Sequence, residues 1–380
     1  MLPPLSLYIH LPWCVRKCPY CDFNSHALRG ELPETEYIDA LLRDLDQELA
    51  WLPPTQALSS LFIGGGTPSL FSAKALERLL DGVQQRLRWQ PDIEITLEAN
   101  PGSAEQQRFR AYRTIGINRL SLGIQSLNDQ HLQALGRIHG RREALQAVAA
   151  AQAAGLPNIN LDIMYGLPQQ TLNQAHTDLR ELIALAPTHI SYYQLTLEPN
   201  TLFHHQPPPL PDDEQLWAMQ QQGQSLLTDH GYPQYEVSAY AQPGYQCRHN
   251  LNYWQFGDYI GIGAGAHGKR TDPTTGTIWR TRKGKHPRTF LQHAGQAASE
   301  RQRVSEADVV FEFMLNRLRL NAALPLDQFS ERTGLPTQRI RPLLRQAEAR
   351  GLLTVSAESV QTTDLGRQFL NDLLEIFLPA

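Results

Sequence analysis

The chain has 380 residues, 41% of them hydrophobic, enough apolar material to bury at least one large core. Its 34 Lys and Arg against 38 Asp and Glu leave a formal charge of −4, which argues against nucleic acid as a bulk electrostatic partner. No run reaches the roughly 18 apolar residues of a membrane span, and the opening MLPPLSLYIH lacks the features of a signal peptide, so a cytoplasmic protein is expected.

Short apolar runs at Leu5–His10, Ser60–Gly64, Ile93–Glu98, Arg119–Ile124, Asn158–Met164 and Thr188–Thr196 predict strands. Helical periodicity falls between them, for example at Glu34–Trp51, Ala73–Arg88, Arg141–Gly155 and Leu172–Ala186. Strands alternating with helices imply parallel pairing through right-handed crossovers. The expected class is therefore α/β, with a partial (β/α)6 barrel over residues 1–230; an open doubly wound sheet is the alternative. Either architecture presents its functional groups at the C-terminal ends of the strands. The segments that follow the runs suit this: His10–Cys14, Gly64–Thr67, Glu98–Asn100, Gln125–Ser126, Asp162–Gly166 and Thr196–Glu198.

Beyond Glu198 the alternation stops. Pro207–Pro211 is a stiff connector, and Asp212 or Asp213 can cap the helix after it. Residues 231–300 read as an irregular segment closing the barrel, with Gly261–Gly268 as a loop over its mouth. Helical patterns at Phe311–Leu320, Leu326–Thr333 and Thr337–Arg350, a hairpin at Leu352–Val355 and Ser359–Thr362, and a last helix at Asp364–Phe377 predict a C-terminal helical, winged-helix-like domain over 301–380. That shape alone does not imply DNA binding.

Of four cysteines, Cys14, Cys18 and Cys21 lie together on one loop after the first strand, and Cys247 stands apart. A disulfide framework would spread its cysteines in pairs. Three clustered thiolates suit an iron–sulfur cubane with one iron left open, which the amino and carboxylate groups of S-adenosylmethionine can chelate. A zinc site completed by His10 or His26 is the alternative, since the spacing also suits zinc. Tyr20 and the glycine-rich Gly64–Pro68 turn, which can bring backbone N–H groups close to a ligand, favour the nucleotide-cofactor reading.

The stretch from Tyr8 to Cys21, the Gly-Gly-Gly-Thr-Pro turn, Glu98, Gln125, Arg137 and Asp162–Pro168 resemble the radical SAM family of coproporphyrinogen dehydrogenases and their relatives, over nearly the whole chain. The resemblance implies that Cys14, Cys18 and Cys21 ligate a 4Fe–4S cluster. It further implies that Tyr8, Tyr20, Gly65, Gly66, Thr67 and Glu98 surround S-adenosylmethionine, with Gln125, Arg137, Asp162 and Thr196 around the same cavity.

Two departures separate this chain from the dehydrogenases. Phe23 stands where they carry a further cysteine, and four residues precede Leu5 where they carry an N-terminal extension. His249-Asn-Leu-Asn-Tyr253-Trp254 resembles instead the HNxxYW motif of the family's haem-chaperone branch. This implies a haem contact at His249, an imidazole being a natural axial ligand, beside two aromatic faces. A packed aromatic pair with a hydrogen-bonded histidine is the local alternative, and His267 and Cys247 are secondary haem candidates. The basic stretch Arg280–Arg288 could meet propionates or an anionic membrane, although a solvated loop is the simpler account. The expected function is haem binding and delivery to an acceptor haemoprotein, respiratory and membrane-associated, with the carrier peripheral at the membrane's inner face. A radical SAM oxidoreductase acting on coproporphyrinogen III or another tetrapyrrole is the alternative.

Overall fold

The computed structural model describes residues 2–102, 107–294 and 299–379. Its main sheet has seven parallel strands in the order Asp258–Ile262, Leu5–Leu11, Leu58–Gly65, Trp89–Ala99, Arg119–Gln125, Asn158–Tyr165 and His189–Gln194. Antiparallel strands extend it at both edges: His267–Thr271, Ile278–Arg282 and Glu300–Arg303 at one, Ala239–Ala241 and Gln234–Glu236 at the other. One cavity draws its lining from every strand between Leu58–Gly65 and His189–Gln194, so the sheet curls into an incomplete barrel.

Alternation along the strands produces this shape. On the first strand Leu5, Leu7, Ile9 and Leu11 are buried in the outer core with Ile38, Leu41 and Leu45 of helix Glu34–Trp51. The intervening Ser6, Tyr8 and His10 bond or pack against groups inside the barrel. Helices Ala73–Gln84, Arg141–Ala153 and Leu172–Ala184 fall on their predicted segments, each a little shorter at its C-terminal end.

The segment read as irregular is not. Residues 232–288 contain five strands of three to five residues and helix Arg248–Trp254. These strands are too short and too rich in Gly and Tyr to show a period. Asp258–Ile262 adds a seventh parallel strand beside Leu5–Ile9. Nor do Gly261–Gly268 line the cavity: the Gly263 and Ala264 N–H groups donate to Asp44 and to the Tyr37 hydroxyl at 3.0 and 2.9 Å, which pins the turn to helix Glu34–Trp51. The basic stretch is likewise largely paired, Arg280 with Glu312, Arg282 with Glu300, and Lys283 with Asp44 and Glu48.

The C-terminal domain packs helices Glu306–Arg317, Leu326–Thr333 and Arg341–Ala349 on a small sheet ordered Leu324–Pro325, Ser359–Thr362, Leu353–Val355. Two predicted helices divide. Pro342 favours a fresh start after Ile340, so a 3-10 turn at Thr337–Arg339 precedes the third helix. The last helix breaks at Phe369, whose backbone is non-helical (φ −108°, ψ 48°).

Candidate functional site

The cysteine loop is closed by local backbone pairing. Trp13–Cys14 lies beside His26–Ala27, with His26 N–H donating to Pro12 O at 2.7 Å and Leu28 N–H to Cys14 O at 2.8 Å. The glycine turn is fastened to it: Gly66 N–H donates to Leu11 O and Thr67 N–H to Trp13 O, both at 2.8 Å. This contact is what requires glycine. A Cβ on Gly66 would stand 2.6 Å from Trp13 O, and one on Gly65, at φ +120°, would stand 2.7 Å from the His10 ring.

All three thiols face one cavity of about 380 Å³, together with Tyr20, Gly65, Gly66, Thr67, Glu98, Gln125, Arg137, Asp162 and Thr196. Twelve of the fourteen sequence candidates therefore share one wall. Tyr8 and His249 do not; they sit deeper, in an aromatic layer with Phe62. The Tyr8 hydroxyl donates to His10 Nδ1 at 2.9 Å, and His10 Nε2 donates to Asn24 O at 2.9 Å. Both ring nitrogens of His10 are thus committed, while His26 Nε2 is 3.2 Å from Asn24 Oδ1. Neither histidine turns to the cysteines as a zinc ligand would.

A polar arc braces the thiols. Arg137 Nη1 lies 3.8 Å from Cys18 Sγ; Nη2 donates to Asn100 Oδ1 at 2.7 Å and to Gly123 O at 2.8 Å; Asn100 Nδ2 donates to Thr67 Oγ1 at 2.9 Å. Burial pushes the Cys14 thiol upward in pKa, and hydrogen bonds from Thr67 and Ser25 oppose it. Gln125 holds a left-handed backbone (φ +70°) at the strand end, where its Oε1 accepts from Tyr193 OH at 2.8 Å. Thr196 lies at the exposed rim, because the strand ends at Gln194 and not at Thr196.

Glu98 is the unbalanced group. Its Oε2 accepts from Gly65 N–H at 3.1 Å. Burial, with Asp162 nearby, pushes its pKa up to about 7. A carboxylate in this state fits a ligand amino group that donates to it.

Below it runs a chain that the sequence reading missed. Asn160 Nδ2 donates to Asp162 Oδ1 and Ser121 Oγ at 2.8 and 2.7 Å, and Asn160 Oδ1 faces His189 Nδ1 at 2.6 Å. His189 Nε2 meets Tyr235 OH at 2.8 Å, and that hydroxyl accepts from Cys247 N–H at 3.3 Å. These partners assign the imidazole proton to Nδ1. Arg119, buried in the same wall, leaves its Nε without a hydrogen-bond partner among the described residues. The signal was present in sequence: Arg119, Ser121 and Gly123, then Asn160 and Asp162, then His189, Ser191 and Tyr193 alternate with apolar residues on strands buried on both faces.

Helix Arg248–Trp254 contributes Asn250 to the cavity wall. His249 is buried, its Nδ1 3.1 Å from Ser60 Oγ and its Nε2 2.8 Å from Tyr253 OH. Burial holds its pKa down to about 3. Cys247 is buried beside Glu94, 3.7 Å away, with its pKa raised to about 12. His267 is exposed on the outer face.

Residues 8–182 match the model of the radical SAM superfamily, and residues 304–369 that of the HemN C-terminal domain. The chain is 55% identical over 377 residues to the heme chaperone HemW of Escherichia coli strain K12, covering 99% of each. It is 53% identical over 380 residues to the heme chaperone HemW of Haemophilus influenzae, covering 99% of this chain and 98% of that one. Among solved structures, the coproporphyrinogen III oxidase HemN of Escherichia coli superposes with a TM-score of 0.83 at 23% identity, over 99% of this chain and 90% of that one. At that identity the likeness establishes a shared fold.

Proposed function

The chain belongs to the HemW family of haem chaperones within the radical SAM superfamily, and from that premise we propose that it binds haem and hands it to an acceptor haemoprotein. The observation that carries the reading is 55% identity sustained over 99% of both chains.

The residues at the mouth suit a 4Fe–4S cluster with S-adenosylmethionine on its open iron. Cys14, Cys18 and Cys21 would supply three thiolates and leave one corner free. When bound, that pair supplies electron-transfer and radical chemistry. The chain's own residues do the rest. Glu98 would accept from the ligand's amino group, the Gly65–Gly66 backbone would lie against its amino-acid portion, and Asp162 would accept from ribose hydroxyls. Arg137 steadies the Cys18 thiolate, and Tyr20 and Tyr193 keep water from the wall. His249 would meet a haem iron only after leaving Ser60 and Tyr253.

We further propose a membrane-associated respiratory acceptor, approached at the membrane's inner face. The exposed Lys285 and Arg288 suit an anionic surface. Among the described residues no helix is long and apolar enough to cross a membrane.

The test is anaerobic reconstitution followed by haem titration and transfer. A brown protein with about four irons per chain, a stoichiometric Soret band and activation of a haem-depleted cytochrome are expected. Release of CO2 from coproporphyrinogen III without haem transfer would overturn the reading in favour of an oxidoreductase.

A further inference from the structure

We propose that haem is received on the outer rim of the cysteine loop, with His286 as the iron ligand and Phe23 as the platform for the porphyrin face. The proposal rests on the haem-carrier reading above and assigns its loading site.

His286 is exposed, and its ring makes no hydrogen bond among the described residues. It stands edge-on to His26, with ring centroids 5.5 Å apart and planes at 68°. The segment that carries it is tied to the cysteine loop, because Asn24 Nδ2 donates to Lys285 O and to Ala264 O, both at 2.8 Å. Phe23, the neighbour of Asn24, is 64% exposed and edges the mouth of the cofactor cavity. A large aromatic ring held in water on a loop fixed on both sides is an apolar face without a partner.

Charge selects the ligand. Arg16, Lys17, Lys285 and Arg288 are exposed on these two segments, and among the described residues none has a carboxylate within ion-pair distance. A flat apolar ligand with two carboxylates matches cations that lack a carboxylate partner on the two segments that carry His286 and the exposed ring, Lys17 among them donating to Phe23 O at 3.2 Å. A bare metal ion does not match: among the described residues no three His, Cys, Asp or Glu converge to hold one. Haem iron already has four nitrogens and asks for one or two more ligands. His249, buried and bonded at both nitrogens, offers none in this conformation.

The experiment is haem titration of the reconstituted full-length chain, read by the Soret and low-spin bands, with iron content as the check on folding and cluster. H286A and F23A are compared with H205A, which removes an exposed imidazole elsewhere. Expected are binding weakened about tenfold or more in H286A with loss of the histidine-ligated spectrum, a smaller loss in F23A, and no change in H205A. Binding by H286A equal to the parent, or an equal loss in H205A, overturns the proposal. A parent chain that takes up no haem instead overturns the carrier reading beneath it, a result distinct from either.

Discussion

Arg137 Nη1 lies 3.8 Å from Cys18 Sγ while Nη2 is anchored by Asn100 and by the Gly123 carbonyl. The guanidinium is therefore a fixed positive charge against one thiol of the cavity. Hydrogen bonds and charge near the sulfurs raise a cluster's reduction potential. Arg137→Gln is expected to lower that potential by some tens of millivolts, on the scale of about 59 mV per tenfold for one electron. An EPR-monitored redox titration checks this; an unchanged potential with full iron content refutes it.

Glu98 makes cofactor binding depend on pH. Its carboxyl has a pKa of about 7 in the folded chain, and only its ionised form accepts a charge-assisted hydrogen bond from the ligand's amino group. Affinity for S-adenosylmethionine should be full above pH 8 and fall toward about tenfold per unit below pH 7. Glu98→Gln should bind more weakly and lose this slope, as isothermal titration at several pH values would reveal. Stability has the opposite sense. A carboxyl pKa raised above its unfolded value of 4.5 means that the folded state gains protons, so stability is lost as pH rises through 7. The ligand-free Glu98→Gln chain should accordingly be more stable at pH 8, by up to ~3 kcal/mol, with the gain vanishing below about pH 4.5.

Gly66 tests the fastening of the two loops. Adding one methyl group places carbon 2.6 Å from the Trp13 carbonyl oxygen, whose neighbour is Cys14. The backbone has to move, and the bonds from Gly66 and Thr67 go with it. Gly66→Ala should reconstitute with less than half the parent's iron while keeping its far-ultraviolet circular dichroism. Gly284, where an added Cβ meets nothing within 4 Å and the backbone is not left-handed, makes Gly284→Ala the control for an added methyl without the clash.

His249 holds the barrel floor. Truncation to alanine removes the partner of Ser60 and Tyr253 and opens a void against Phe62. A loss of about 2–4 kcal/mol is expected from the void and the stranded hydroxyls. Urea denaturation measures it. A loss below 1 kcal/mol would show that helix Arg248–Trp254 is not seated as described.

Much of this site could be read from local spacing. The Cys14, Cys18, Cys21 loop and the Gly64–Pro68 turn each carry their chemistry within a few residues, and Glu98 and Gln125 fall at strand ends where the fold class puts function, while Asp162 sits inside strand Asn158–Tyr165. Arg119 and His189 are unremarkable alone; they gain meaning as inward positions of strands whose curl brings them together. Strand Asp258–Ile262 was hidden because its partner, Leu5–Ile9, lies some 250 residues away. The inward burial of His249 was hidden for the same reason, since Ser60 is 189 residues distant.

Another long-range contact is equally silent in the sequence. Lys283 Nζ reaches Asp44 Oδ1 at 2.5 Å, Glu48 Oε1 at 2.7 Å and Ser299 Oγ at 2.5 Å, with all three charged groups buried. One cation serves two carboxylates on successive turns of helix Glu34–Trp51, locking that helix to the segment that follows strand Ile278–Arg282. Lys283→Met preserves most of the volume but strands both acids, and a loss of about 3–5 kcal/mol is expected at pH 8. The sign with pH follows from Asp44, whose carboxyl burial already pushes upward while Lys283 pulls it down. Without the lysine the upward shift grows, the folded state gains protons, and the deficit should shrink as pH falls. Asp44→Asn combined with Lys283→Met should recover part of the loss, because one buried charge has gone. Chemical denaturation at pH 5 and pH 8 decides: a deficit that is flat with pH, or absent, means the triad is solvated and does not hold the helix.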